Sequence, residues 1–340
     1  MYNIFIPYDY WAGGFLNQIS KGLSKRHEII RGQKYRPSIF VKILFKLPIN
    51  YFNKIGLKLK HKEFNKQLFE SLKQNEIDYL FLISGGGIDP ETLKEMKNIN
   101  IKVIGYVADD PFNPSPHRDQ LYPVSLQYYD ILLVADKIWM RNIRLITNAK
   151  LVLFFGGYDP LIWSYEKLNH KDEFSSDILF TGGSYDLNSE GLFRALILNN
   201  ISKLNNVSIW GDKGWKKHSN HLKYISSSYK GGRLDYNELN CVLGSCKIYL
   251  NMPSPQIQSS FQPRVFELGV SKVFQISPYS LELEELFGDS IVMFKNIENL
   301  EELINFYLNN DTKRIEKTEE LYLLLKDNYT WANQLKKVLF

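Results

Sequence analysis

The chain has very little cysteine: two residues, Cys241 and Cys246, in 340. Two thiols make neither a disulfide framework nor a zinc ligand set, so both read as buried thiols in a reducing compartment. No uninterrupted apolar run approaches the length of a membrane-spanning helix. The segment Met1–Pro7 has no basic n-region and reads as a first strand, not a signal peptide. A phosphate-binding P-loop is excluded, because Ser84-Gly85-Gly86-Gly87 lacks the spacing and the Lys-Ser/Thr ending. A dinucleotide fingerprint is excluded too, since no G-x-G-x-x-G joins the first strand to its helix. Metal ligands are not patterned either. His27, His61, His170, His218 and His221 show no ligand spacing, and the close pair His218 and His221 has no third partner. The expected setting is cytoplasmic, at the inner face of the membrane at most, with no metal and no resident cofactor.

Apolar residues make up 44% and charged residues 23%, the balance of a soluble globular protein. The length exceeds one ordinary core and favours two domains. The net charge of +5 is uneven, about +7 before residue 160 and −2 after it. Between Ile29 and Lys62 stand nine basic residues and no acidic one. In that stretch Ile39, Phe40, Ile43, Leu44 and Leu47 recur at helical spacing with Lys42 and Lys46 among them. The pattern suits a solvated or core helix, and equally contact with an anionic membrane or a phosphorylated acceptor. It has no interleaved aromatic-basic motif, so nucleic acid is not an expected partner.

Strand-like and helix-like segments alternate throughout, which argues for parallel sheets flanked by helices. Expected strands run over 3–7, 28–30, 79–84, 102–107, 131–135 and 151–155, then 177–182, 207–211, 247–251, 273–277 and 291–294. Expected helices cover 14–25, 63–74, 90–97, 190–203, 237–243, 300–308, 313–325 and 331–339. The doubling implies two Rossmann-like domains facing a cleft. Their expected limits are 1–160 and 161–325, with 326–340 as a helix crossing back to the first.

Candidate site residues fall where expected strands end, since open α/β sheets bind ligands there. Gly13-Gly14 opens the first helix and lets backbone N–H groups come close to a phosphate or sugar, or serves as a plain turn. Gly86 sits in the turn after the third strand. Asp109-Asp110-Pro111 ends the fourth strand, where either carboxylate suits a general base and where a simple Asx-turn is the alternative. His117 follows a few residues on. Thr181-Gly182-Gly183-Ser184 ends the first strand of the second half, and Asn251 ends a later one.

Phe261-Gln262-Pro263-Arg264-Val265-Phe266-Glu267-Leu268-Gly269-Val270, leading into Val273-Phe274-Gln275-Ile276-Ser277, is the most telling run. Arg264 and Glu267 share one face if the run is helical. The Glu can accept two bonds from a ribose diol and the Arg can neutralise a diphosphate, although such a pair is also a common ion pair. With Ile248–Asn251 before it and Leu281–Phe287 after it, the run resembles the donor-binding half of GT-B glycosyltransferases, closest to their spore-maturation-protein-like branch. The resemblance implies a nucleoside-diphosphate sugar as donor substrate, held by Gly182, Gly183, Asn251, Arg264 and Glu267. It implies a glycan or lipid-linked acceptor near Gly13, Gly14, Gly86 and His117, with Asp109 or Asp110 as catalytic carboxylate. Of the two Glu residues common in retaining group 1 enzymes, Glu267 matches the second, while Ser259 stands at the first. The stereochemical outcome is therefore open. A nucleotide-sugar 2-epimerase and a non-catalytic binding protein share the expected fold.

Overall fold

The computed structural model describes residues 1–7, 13–32, 35, 37–44, 50–84, 88–113, 122–185, 189–217 and 221–339. The chain divides into two compact units, Met1–Phe155 with Trp331–Phe340, and Gly156–Thr330.

The first unit holds a six-stranded parallel sheet of β1 (Asn3–Ile6), β2 (Glu28–Arg31), β3 (Tyr79–Ile83), β4 (Lys102–Val107), β5 (Ile131–Val134) and β6 (Lys150–Leu153), in the order β2-β1-β3-β4-β5-β6. Central strands are buried nearly end to end, with Ile4, Phe5, Leu80, Phe81, Val103 and Ile104 inaccessible. Such continuous apolar runs are what a sheet covered on both faces requires. The helix Trp331–Val338 belongs to this unit. Its Trp331 indole N–H donates to Gln18 Oε1 at 3.0 Å, and its ring meets Tyr106 and Phe154.

The second unit holds β7 (Ser176–Thr181), β8 (Val207–Trp210), β9 (Tyr229–Gly231), β10 (Cys246–Leu250), β11 (Gln275–Pro278) and β12 (Val292–Phe294), all parallel, in the order β12-β11-β10-β7-β8-β9. The chain runs outward from β7 to β9, returns, and continues outward from β10. The order therefore reverses between β7 and β10, and a crevice at their carboxyl ends is where such sheets bind ligands. In the first sheet the reversal falls between β1 and β3.

Several elements are absent from the sequence reading, the short helices Tyr122–Ser125, Lys223–Ser228 and Leu281–Phe287 among them. Strand β9 is three residues long with one lysine, too short for periodicity to reveal. The helix Lys137–Arg144 is set by Asp136, whose Oδ1 accepts the N–H groups of Ile138 at 2.8 Å and Trp139 at 3.2 Å. A third helix, expected to start at residue 63, begins at Asn50, since no proline interrupts the stretch after Pro48. No helix among the described residues is long and apolar enough to cross a membrane.

Candidate functional site

The carboxyl ends of β7 and β10 are the best-built part of the second unit. Thr181 Oγ1 and the Tyr249 hydroxyl lie 2.7 Å apart and tie the two strands together. Beyond Thr181 the chain turns through Gly182, Gly183 and Ser184, and each residue of the turn is held from elsewhere. Gly182 donates its N–H to the Trp210 carbonyl and accepts the Trp215 indole N–H at 2.9 Å. Gly211 lies against it so closely that a Cβ there would stand 2.0 Å from the Gly182 oxygen. Asp212 accepts the Ser184 N–H at 2.8 Å, the Ser184 hydroxyl, and the Gly214 N–H at 2.8 Å. Burial opposes ionisation of Asp212, but these donors outweigh it and hold the carboxyl below its usual range.

A second tie comes from Arg194 on the helix Ser189–Leu204. Its Nε–H donates to the Pro253 carbonyl at 3.2 Å and its Nη1–H to the Gly183 carbonyl at 3.4 Å. The guanidinium lies 5.1 Å from the centre of the Tyr185 ring. One buried side chain thus joins the turn after β7 to the loop after β10.

On the β10 side, Asn251 is buried and donates its amide to Gln275 Oε1 at 2.9 Å, while Gln275 donates in turn to the Val265 carbonyl at 3.0 Å. Asn251 therefore orients the start of the helix Arg264–Val270. On that helix Arg264 Nη1 and Glu267 Oε2 are 3.1 Å apart, and the guanidinium lies 5.2 Å from the centre of a Trp163 ring. Glu267 is buried, so this is not the exposed ion pair common on helix surfaces. Burial pushes its carboxyl above the usual range against the pull of Arg264.

In the first unit Asp109 and Asp110 follow β4, both half-buried, and Asp110 Oδ1 closes a turn by accepting the Phe112 N–H at 3.0 Å. Gly13 and Gly14 open the helix Gly13–Ser24. Gly86 and His117 lie outside the described residues. The structure thus brings Gly182 and Gly183 to the carboxyl end of β7, Asn251 to that of β10, and Arg264 against Glu267. Arg194, Asp212 and Trp215 carry the turn and were not singled out as site residues. Arg194 was detectable as the one cation inside the apolar run Leu192–Leu198, and Asp212 by its place between Gly211 and Gly214. Trp210 packs edge-on to Phe174 and over Gly231, a packing role.

Residues 192–339 match the family model described as glycosyl transferase-like. The fold is GT-B. Sucrose-phosphate synthase from Thermosynechococcus elongatus superposes with a TM-score of 0.68 at 9% identity, covering 99% of this chain and 97% of its own. HepE from Anabaena, solved in complex with UDP and glucose, gives 0.62 at 13% identity over 100% of this chain and 99% of its own. UDP-GlcNAc 2-epimerase from Methanocaldococcus jannaschii gives 0.53 at 11% identity over 95% and 99%. No curated protein matches the chain by sequence.

Proposed function

We propose that this chain transfers a hexosyl group, without a metal, from a nucleoside-diphosphate sugar to a hydroxyl of a glycan or lipid-linked acceptor. The observation that carries the reading is the turn Gly182–Ser184 at the switch point of the second sheet. Glycines bring its backbone within reach of a ligand, and bonds from Asp212, Trp215 and Arg194 fix it in advance. The glycosyl transferase-like match over 192–339 and the UDP and glucose in the HepE structure support a nucleotide-sugar donor. Glu267 is the candidate for the ribose hydroxyls. The acceptor is assigned to the first unit, with Asp109 or Asp110 as the base. The resemblance to the spore-maturation-protein-like branch belongs to the same reading.

A screen of UDP-, GDP-, dTDP- and CMP-sugars by thermal shift identifies the donor, and transfer is then measured. Asp109→Asn or Asp110→Asn is expected to slow transfer about 10²–10⁴-fold with donor affinity kept. Near-full transfer in both variants removes the pair from catalysis.

The epimerase neighbour favours a second reading, a nucleotide-sugar 2-epimerase of similar fold. Product analysis without acceptor separates the two, because only an epimerase converts the donor sugar alone. One surface bears on the acceptor. Ile39, Phe40 and Ile43 are exposed on the helix Ile39–Leu44, beside Lys42. Glu63 accepts there from Ser38 N–H at 3.0 Å and from the Tyr35 hydroxyl at 2.8 Å. Apolar residues within a basic stretch suit an anionic membrane. Flotation with anionic but not with zwitterionic liposomes is the expected result, and equal recovery in both removes the contact.

A further inference from the structure

The second unit concentrates positive charge at one edge of its sheet. From Lys203 to Arg233 stand seven basic residues and one acid, Asp212, whose carboxylate is taken up by Ser184 and Gly214. The rest of the chain after residue 160 has 13 basic and 21 acidic residues. Lys213 and Lys216 lie on the short 3₁₀ helix Lys213–Lys216 after β8, and Lys223 opens the helix Lys223–Ser228. Lys230 lies in the edge strand β9 and Arg233 just after it. All five are exposed. Among the described residues no ion pair joins any of them to a carboxylate, whereas Lys247, Lys272, Lys313, Arg314 and Lys317 of the same unit each have one. Cations gathered on one surface and unanswered within the chain raise a local field that attracts an anionic partner.

Two features choose that partner. Among the described residues from Val207 to Arg233 no large apolar side chain is exposed, unlike Ile39, Phe40 and Ile43 of the first unit, so this edge offers nothing to insert into a bilayer. Tyr229 and Tyr224 are half-buried, with Lys216 at 5.3 Å and Lys223 at 5.0 Å from their ring centres, and neither is an open platform for stacking bases. The surface is also anchored beside the candidate site, since the Tyr229 hydroxyl donates to the Gly211 carbonyl at 3.3 Å. We infer that this edge docks an anionic glycan, a polysaccharide carrying carboxylate or phosphate groups along its length, and holds the acceptor chain away from its reacting hydroxyl. The inference rests on the glycosyl-transfer reading above and names the class of acceptor. Several separated cations suit repeated charges on one extended chain, where weak contacts add up.

The test is affinity electrophoresis of the full chain through gels containing polygalacturonate, poly(glycerol phosphate) or neutral dextran, with duplex DNA and anionic liposomes assayed beside them. The wild-type chain is expected to be retarded by both anionic polymers and not by dextran, and less so as salt screens the contact. Lys216→Gln/Lys230→Gln/Arg233→Gln should weaken that binding roughly ten- to a hundredfold. Lys42→Gln/Lys60→Gln/Lys62→Gln, the same change of charge on exposed residues of the first unit, should leave it intact. If the first triple variant does not fold, Lys223→Gln/Lys230→Gln leaves Lys216 over the Tyr229 ring and is read in the same way. Unchanged binding in the edge variant overturns the inference. So does an equal loss in the two triple variants, which would make net charge the cause, or tighter binding of duplex DNA or anionic liposomes through the same residues. Nucleotide-sugar binding is measured on the same proteins by calorimetry and is expected to be unchanged. A chain that binds a nucleotide sugar but neither anionic polymer overturns the inference and leaves the transferase reading standing. Polymer bound at this edge with no nucleotide sugar bound supports the docking surface and removes the transferase reading.

Discussion

At the end of β7 the turn is fixed by side chains from other elements, and among the described residues at the end of β4 Asp110 accepts the N–H of Phe112, two residues on, as one of its bonds. The bonds to the β7 turn span 11 residues to Arg194, 28 to Asp212 and 33 to Trp215. Both sheets are six-stranded and parallel with buried central strands, so the difference does not come from architecture. It comes from which residues stand beside each strand end. A turn held from several elements is organised before a ligand arrives, and that preorganisation is what a binding or catalytic site requires.

The largest effect is expected at the edge of that pinned region. Glu267→Ala removes the buried carboxylate from beside the half-buried Arg264, which costs roughly 3 kcal/mol. From sequence, the partner of Glu267 is a ligand and its loss is nearly neutral for folding. The structure gives Glu267 a partner within the chain, so chemical denaturation should show a clear loss. The double variant Arg264→Met/Glu267→Leu should recover much of it, as apolar replacement of both members of a buried pair often does. A double variant as unstable as the sum of the single ones would separate the two residues energetically.

Next in size is a pair of glycine substitutions, one in each unit. A Cβ at Gly211 would stand 2.0 Å from the Gly182 carbonyl oxygen, a backbone atom that cannot rotate away. A Cβ at Gly105 on β4 would meet Tyr129 and Leu132 side-chain carbons at 2.6 and 2.8 Å. Side chains can shift where backbone cannot. Gly211→Ala is therefore expected to cost on the order of 3 kcal/mol and Gly105→Ala about 1–2 kcal/mol. The reverse ranking would mean that the β7 turn yields easily and is not preorganised.

The same contrast explains what the sequence could and could not show. Runs such as Tyr79–Ile83 and Ser176–Thr181 declare themselves as buried strands, because burial on both faces demands continuous apolar residues. Their alternation with helices is enough for two Rossmann-like units. Strand β9 left no such trace, with Lys230 at its centre and backbone pairing to β8 as its support. Glycines at strand ends were legible for the same local reason. Arg194 and Asp212 stand out locally as residue types, but the bonds that they and Trp215 make were not legible, because each acts on a residue distant along the chain. Arg194 reaches Pro253, 59 residues away, and no local spacing encodes that bond.

The smallest effect is a pH dependence that should run in opposite directions at two carboxylates of the second unit. Asp212 is held below its usual range, because the Ser184 and Gly214 donors outweigh burial. Its folded pKa thus lies under its unfolded one, and between the two the unfolded chain binds more protons. The stability from Asp212 is present above about pH 4 and is lost as pH falls through the folded value. Glu267 is pushed up by burial, against Arg264, so its folded pKa lies above the unfolded one. Its contribution is full below about pH 4 and is lost as pH rises through the folded value. Asp212→Asn should therefore flatten the acid limb of stability against pH, and Glu267→Gln the limb above it. Both curves are measured by denaturant unfolding from pH 3 to pH 8, roughly the range over which carboxylates titrate. An Asp212→Asn variant with an unchanged acid limb would mean that the Ser184–Asp212 contact does not depend on charge, and the turn after β7 would then owe its geometry to Trp215 and Arg194.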